Sequence, residues 1–293
     1  MPNPVARAAV WMIGAIVSFT LMAIAGRAAA VDLDTFEIML YRSLVGVVTV
    51  LSVATAAGTL GQINASGYKL HFARNIAHFT GQNLWFYAIT VAPLAQVFAL
   101  EFTTPVWVVF LAPLFLGEAL RRNGVIAAIL GFVGVLFVAR PDASGLGPGI
   151  LPAALAAIGF AFSAVFTRKL TRTNSITCIM IWLTGLQALF GLACAGWDMD
   201  IAVPSAQSLP WVILIGFAGL LAHFCLTKAL SIAPASSVVP IDFARLPVIV
   251  LVGALVYDEP LQMTVLLGGA IILLANWINL MPPRPAKGTV TAK

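Results

Sequence analysis

Long apolar stretches alternate with short polar gaps along the whole of this 293-residue chain. A helix needs about 20 apolar residues to cross the ~30 Å hydrocarbon core of a bilayer. An unpaired backbone amide costs several kcal/mol in hydrocarbon, so each stretch is predicted to be helical, and the continuous pattern argues against a β-barrel. The pattern predicts an all-α membrane protein with ten transmembrane helices, at residues 8–29, 36–57, 70–90, 94–116, 122–139, 148–168, 176–196, 208–229, 236–256 and 261–281.

Composition agrees with burial in lipid. The chain is 61% hydrophobic and 9% charged, with a mean hydropathy of +1.01, whereas a soluble domain carries about 25% charged residues. Its net charge of +5 comes from basic residues scattered singly, so the predicted partner is the lipid bilayer and not nucleic acid. The three cysteines have no metal-ligand spacing and are predicted to be free thiols.

Lysines and arginines set the predicted orientation. With the N-terminus in the cytoplasm, twelve of them fall on the cytoplasmic side and two, Arg27 and Arg140, on the other. We therefore expect a multi-pass protein of the cell inner membrane with both termini in the cytoplasm. The first apolar run, 8–26, is longer than the roughly 7–15 residues of a signal-peptide core, so it is predicted to be retained.

A repeat relates the two halves of the chain. A shift of 141 residues aligns Phe19 with Phe160, Arg27 with Arg168, Pro93 with Pro234, Glu101 with Asp242, Phe102 with Phe243, and Glu118 with Glu259. The predicted units are residues 1–143, with the first five helices, and 144–293, with the last five. Because five is odd, the second unit enters the membrane upside down, which gives the inverted repeat found in many secondary transporters.

Five charged residues fall inside the predicted spans, where each costs about 2.5–3.5 kcal/mol at the helix centre: Arg42, Arg74, Glu101, Asp242 and Arg245. Glu101 and Arg42 lie at similar depths, roughly 12 and 9 Å from one membrane face, so we expect them to pair. Asp242 and Arg245 are three residues apart on one helix face and are expected to meet. Glu101, Asp242 and Arg245 are predicted to bind substrate; the alternative is that they only tie helices together.

The third segment carries a polar stripe that faces one direction: Arg74, His78, Gln82 and Trp85. His78, Gln82 and Trp85 are predicted to contact substrate, and hydrogen bonding between helices is the alternative. His78 and His223 are candidates for proton coupling, although a lone intramembrane histidine is more often a hydrogen-bonded packing residue.

Prolines at matching places in the fourth and ninth segments predict bends. We expect Pro105 and Pro247 to act as hinges, with static kinks as the alternative. Glycines of the fifth and tenth segments predict close helix packing or a homodimer surface. Glu118 and Glu259 lie at span ends and are expected to make helix-end contacts.

No motif indicates an enzyme. The chain lacks a nucleotide-binding loop, a metal-ligand cluster and a catalytic triad. No cofactor or metal is therefore expected, and a gradient of ions or solute must supply any energy for transport.

Two motifs resemble a known family. TPVWVVFLAPLFLGEAL, starting at Thr104, and GVIAAILGFVGVLFVARP, starting at Gly124, are similar to the signature of the EamA branch of the drug/metabolite transporter superfamily. LPVIVLVGALVYDEPL and LLGGAIILLANW in the second half are a weaker copy. The resemblance implies two inverted five-helix halves and a cavity lined by helices 1, 3, 4, 6, 8 and 9. It also implies transport of small metabolites, often amino acids, and structural roles for Pro105, Gly117 and Glu118.

We expect a secondary transporter that moves a small-molecule substrate by alternating access. The expected substrate is an amino acid, which could be an aromatic one, and the expected direction is export. The first alternative is a carrier of nucleosides, cofactors or cationic compounds. A channel-like or scaffold membrane protein is the alternative from another class.

Overall fold

The computed structural model describes residues 3–120, 122–139, 147–259 and 263–281. Within these ranges all regular structure is helical. Ten membrane segments, two of them broken, occur where the apolar pattern predicts them: α1 Pro4–Ala29, α2 Thr35–Ala56, α3 Tyr68–Val91, α4a Leu94–Glu101, α4b Thr104–Leu116, α5 Arg122–Ala139, α6 Ile150–Leu170, α7 Ile176–Ala195, α8 Leu209–Ile232, α9a Ala235–Val238, α9b Arg245–Val256 and α10 Met263–Leu280.

Seven of the described helices or broken pairs are long and apolar enough to cross a membrane by length and composition. The apolar parts of α5 and α10 are shorter, at Arg122–Phe137 and Leu266–Ala275. α3 belongs to neither set because its inward face holds the predicted polar stripe. With α3 included, the described residues form the ten helical segments that the sequence predicted.

Short polar signals set the helix ends. Asp34 caps α2 by accepting from the amide of Glu37, while the Glu37 side chain accepts from the Asp34 amide, a reciprocal capping box. At the other end of the fold, α4b stops at Gly117, whose φ of 65° is the left-handed conformation that glycine adopts without strain.

The fourth and ninth membrane segments are each interrupted in mid-span. A turn at Phe102 and Thr103 separates α4a from α4b, and a 3₁₀ turn, Val239–Ala244, joins α9a to α9b. Pro105 and Pro247 lie in the first turn of α4b and α9b, where a missing N–H breaks no helical bond. The bends predicted from these prolines are present; their movement as hinges stays a prediction.

Helix packing follows the repeat. α1 packs along α8 and α3 along α6, and a five-helix shift exchanges these two pairs. α2 packs on α7 and α5 on α10, and the same shift maps each of these pairs onto itself. A side-chain carbon on Gly134 of α5 would lie 2.8 Å from the carbonyl oxygen of Gly268 of α10, so the glycine pattern of these two helices serves packing within the chain.

The predicted boundary between residues 143 and 144 lies outside the described residues, as do Arg121, Arg140, Arg284, Lys287 and Lys293 of the charge bias. The division into units 1–143 and 144–293 therefore stays a prediction.

Candidate functional site

A central cavity lies between the two halves. Its volume is about 80 Å³, whereas pockets that bind small molecules span about 300–1,000 Å³, so a cofactor-sized solute requires the cavity to widen. Side chains from α1, α3, α4, α6, α8 and α9 line it, which is the set of helices that the family resemblance implied.

Three charged side chains, Glu101, Asp242 and Arg245, form a triad in the cavity wall where the broken helices meet. Arg245 Nη2 donates to Glu101 Oε1 at 2.5 Å and to Asp242 Oδ2 at 2.5 Å. Trp85 Nε1 donates to the other oxygen of Glu101 at 2.7 Å. The predicted contact between Asp242 and Arg245 is confirmed, and it is joined by a carboxylate from the opposite half.

Aromatic rings enclose the guanidinium group of Arg245. Its Cζ lies 4.8 Å from the ring centroid of Phe98, 5.2 Å from that of Phe19 and 5.5 Å from that of Phe102. Cation–π attraction adds to the two ion pairs at this site. The Arg245 side chain is only 2% exposed, whereas that of Asp242 is 18% exposed, so Asp242 is the member of the triad that a solute reaches most directly.

The predicted pair of Arg42 with Glu101 is wrong. Both oxygens of Glu101 are taken by Arg245 and Trp85. Arg42 lies against α8, with Nη2 2.9 Å from the position of a side-chain carbon on Gly219, and its Nη1 donates to Met39 Sδ at 3.5 Å. Counting residues gives the depth of a side chain in the membrane but not the direction in which it points, and direction decided this pairing.

The polar stripe of α3 faces the cavity, as predicted. Arg74 Nε donates to Thr167 Oγ1 at 3.1 Å, and the rings of His78 and His223 meet edge to face at 4.6 Å between centroids. Trp85 is 1% exposed, and its indole N–H orients Glu101. The stripe therefore joins α3 to α6, α8 and α4 through the cavity wall.

Several polar atoms at the cavity have no hydrogen-bond partner among the described residues. They are His78 Nε2, Gln82 Oε1, both ring nitrogens of His223, Asp242 Oδ1 and Arg245 Nε. Buried polar atoms in native proteins almost always have partners. These atoms are therefore the polar groups of the cavity wall that the described residues leave unsatisfied.

Other lining residues were not singled out from the sequence: Ser163, Thr167, Thr227 and Thr104. Their hydroxyl groups sit in otherwise apolar helices, where small polar residues are common packing elements. The repeat could have predicted one lining residue of α6, because it aligns Phe160 with Phe19 and both rings line the cavity.

Two matching ion-pair clusters join the halves at opposite ends of the bundle. In the first clamp, defined as Arg27, Glu259 and the amide of Leu94, Arg27 Nη1 lies 3.0 Å from Glu259 Oε1, which also accepts from Leu94 N at 3.1 Å. In the second clamp, defined as Arg168, Glu118 and the amide of Ala235, Arg168 Nε lies 3.5 Å from Glu118 Oε1, which accepts from Ala235 N at 3.3 Å.

The arginines of the clamps also bind helix ends. Arg27 donates to the carbonyl oxygens of Ile89 and Ala92 at 2.8 Å each, and Arg168 donates to that of Leu230 at 2.5 Å. Cations at helix C-termini are favourable because the last carbonyls lack partners. Glu118 and Glu259 are thus helix-end contacts, as expected.

A model of the EamA-like transporter family matches residues 6–140 and again residues 147–281. The chain belongs to the EamA-like transporter family. The two matches begin 141 residues apart, which is the shift that aligns the two halves of the sequence.

Several relatives of this EamA-like transporter are named as transporters of cofactors or vitamins. It is 25% identical to a "S-adenosylmethionine uptake transporter" of Rickettsia conorii over 90% of this chain and 88% of that one. It is 28% identical to a "Riboflavin transporter" of Vibrio cholerae over 91% and 90%, and 32% identical to a "Riboflavin transporter" of Brucella anthropi over 82% and 85%. A solved crystal structure matches with a TM-score of 0.76 over 94% of this chain and 96% of that chain at 17% identity, and it shows the fold.

The family and these relatives make the protein a multi-pass membrane transporter of small metabolites and not an enzyme. The placement of both termini in the cytoplasm stays a prediction from the charge bias.

Proposed function

We propose that this EamA-like transporter carries a cofactor-like or nucleoside-like compound with a heteroaromatic ring. The relatives named above support this class, since adenosine and flavin are both nitrogen-rich ring systems. The amino-acid exporter expected from the sequence finds no counterpart among those names, and the cofactor alternative does.

The observation that carries the proposal is the pairing of rings with unused hydrogen-bonding atoms in one cavity. Phe19 and Phe160 offer aromatic walls, and Gln82 Oε1, His78 Nε2 and Asp242 Oδ1 have no hydrogen-bond partner among the described residues. A heteroaromatic ring presents a flat face for stacking and N–H or nitrogen edges for hydrogen bonds. A purely apolar solute would leave these atoms unpaired, which costs affinity.

Movement of the halves against each other is proposed to expose the cavity to each side of the membrane in turn. The broken helices α4 and α9 supply a flexible mid-membrane crossing, and the clamps tie the halves at each end. Site-lining broken helices in matching positions are typical of inverted-repeat transporters.

Counterflow in proteoliposomes tests this function. Vesicles loaded with unlabelled S-adenosylmethionine, riboflavin or phenylalanine receive the same labelled compound outside. We expect saturable exchange of a ring-bearing cofactor and none of phenylalanine. Exchange of phenylalanine alone would restore the amino-acid expectation. Non-saturating flux would indicate a channel, and no flux of any solute a scaffold.

A further inference from the structure

Two buried arginines within the membrane segments, Arg42 and Arg74, have no carboxylate partner among the described residues. Arg74 is 2% exposed and Arg42 is 6% exposed. Arg27, Arg168 and Arg245 each form an ion pair within that part of the chain, and Arg42 and Arg74 form none. A charged side chain in a membrane span is otherwise paired with an opposite charge or with backbone carbonyls.

Arg74 is the arginine of this pair that faces the cavity. Its Nε donates to the hydroxyl of Thr167 at 3.1 Å and its Nη1 to the side-chain oxygen of Asn75 at 3.3 Å. Both partners are neutral, and Nη2 donates no hydrogen bond to the described residues. The guanidinium group of Arg74 is therefore held in place by neutral partners, and its Nη2 donors remain available for a ligand.

The surroundings of Arg74 hold further basic groups. His78 lies one turn along α3, and its ring meets that of His223 on α8. His223 and Arg42 line one small pocket behind this wall. The carboxylates of the cavity, Glu101 and Asp242, are both bound to Arg245. Among the described residues, therefore, no unpaired carboxylate lines the end of the cavity at Arg74.

We propose that Arg74 binds an anionic group, a carboxylate or a phosphate, on the transported substrate. Guanidinium groups bind both oxyanions through two parallel N–H···O bonds. The hydroxyls of Ser163, Thr167 and Thr227 line the same cavity and supply further donors. The inference rests on the proposed function and narrows it, because the substrate then has an anionic arm at Arg74 and its ring beside Phe19 and Phe160.

The proposal separates candidate substrates. S-adenosylmethionine carries a carboxylate, and decarboxylated S-adenosylmethionine keeps the same ring, sulfonium and ammonium groups without it. Flavin mononucleotide carries a phosphate and riboflavin does not. Comparing the members within each pair therefore isolates the anionic group while the ring stays constant.

Binding of these four compounds to the purified full-length protein tests the assignment by titration calorimetry. We expect the member that carries the carboxylate or phosphate to bind about tenfold or more tighter than its partner without that group, in at least one pair. Arg74→Gln should reduce that preference to about twofold or less, and Arg74→Lys should keep part of it. The matched control is Lys69→Gln, an exposed cation on the same helix, which should leave the preference intact.

Equal affinity of both members of each pair for the wild type, or a preference that survives Arg74→Gln, would overturn the proposal. If no ring compound binds, the proposed function fails, and inorganic phosphate becomes the probe. Phosphate should then raise the melting temperature of the wild type more than that of Arg74→Gln at equal ionic strength. An equal rise in the two proteins would overturn the anion site by itself. If Arg74→Gln does not fold, Arg74→Lys takes its place: its rise should be smaller than that of the wild type, and an equal rise would overturn the site.

Discussion

The two clamps have the same parts but different geometry. Arg27 of the first clamp reaches Glu259 at 3.0 Å and lies 4.6 Å from the ring centroid of Tyr257. Arg168 of the second clamp is 3.5 Å from Glu118, and its Nε makes no hydrogen bond there. The first clamp is therefore the more tightly closed of two related contacts.

The cavity lies between the two clamps. Its lining reaches Thr167 and Thr227, next in the chain to Arg168 and Lys228, and it ends at Trp85 and Glu101 before the first clamp. Since the repeat is inverted, the two clamps belong to opposite membrane faces. The comparison teaches that a nearly symmetric scaffold is closed by two unequal contacts, of which the second clamp has the longer ion pair.

The halves also differ at the centre, where the repeat sets Arg245 against Thr104. Arg245→Met leaves two buried carboxylates without their cation, and we expect it to lower the free energy of unfolding by about 3–5 kcal/mol. Thermal unfolding in detergent measures the loss. Adding Glu101→Gln and Asp242→Asn should recover much of it; a single variant as stable as the wild type would mean that the triad does not hold the halves together.

A second comparison concerns the paired crossings of α3 with α6 and of α1 with α8. A side-chain carbon on Gly159 would lie 2.7 Å from the carbonyl oxygen of Ala77, whereas one on Gly14 would meet the movable Cys225 Sγ at 2.9 Å. Gly159→Ala should therefore destabilise by about 1–3 kcal/mol and Gly14→Ala by less. Melting temperatures of the two variants decide it, and the reverse order would contradict the packing described.

The smallest effect is expected at the clamps themselves. Glu259→Gln should weaken the first clamp by about 1–2 kcal/mol, since it removes a charge from a hydrogen-bonded cluster. Glu118→Gln should cost less, about 0.2–1 kcal/mol, because its ion pair with Arg168 is longer, at 3.5 Å. Labelling of a cysteine placed at Gln96, just inside the first clamp, should rise more in Glu259→Gln than in Glu118→Gln. Equal labelling would remove the difference between the two ends.

Much of this architecture was predictable because hydrocarbon allows few solutions. Apolar runs gave the ten segments, and the 141-residue shift paired Arg27 with Arg168 and Glu118 with Glu259. That shift also anticipated matching breaks, since Glu101 and Asp242 both stand where their helices are interrupted.

The partners of individual side chains were harder to predict. Arg42 was expected at Glu101 but points to α8, and Arg245 crosses between halves to reach Glu101. Both outcomes depend on the rotation of a helix about its axis and on the turn at Phe102 and Thr103. Residue counts fix depth to within a turn and leave that rotation open.

Crosslinking of each clamp in turn tests the alternating account most directly. In a variant without Cys178, Cys194 and Cys225, cysteines replace Arg27 and Glu259, or Arg168 and Glu118, and a cleavable bismaleimide links each pair. We predict that a link at either end stops substrate counterflow and that cleaving the link restores it. Counterflow at the unlinked rate with either clamp fully crosslinked would contradict the account.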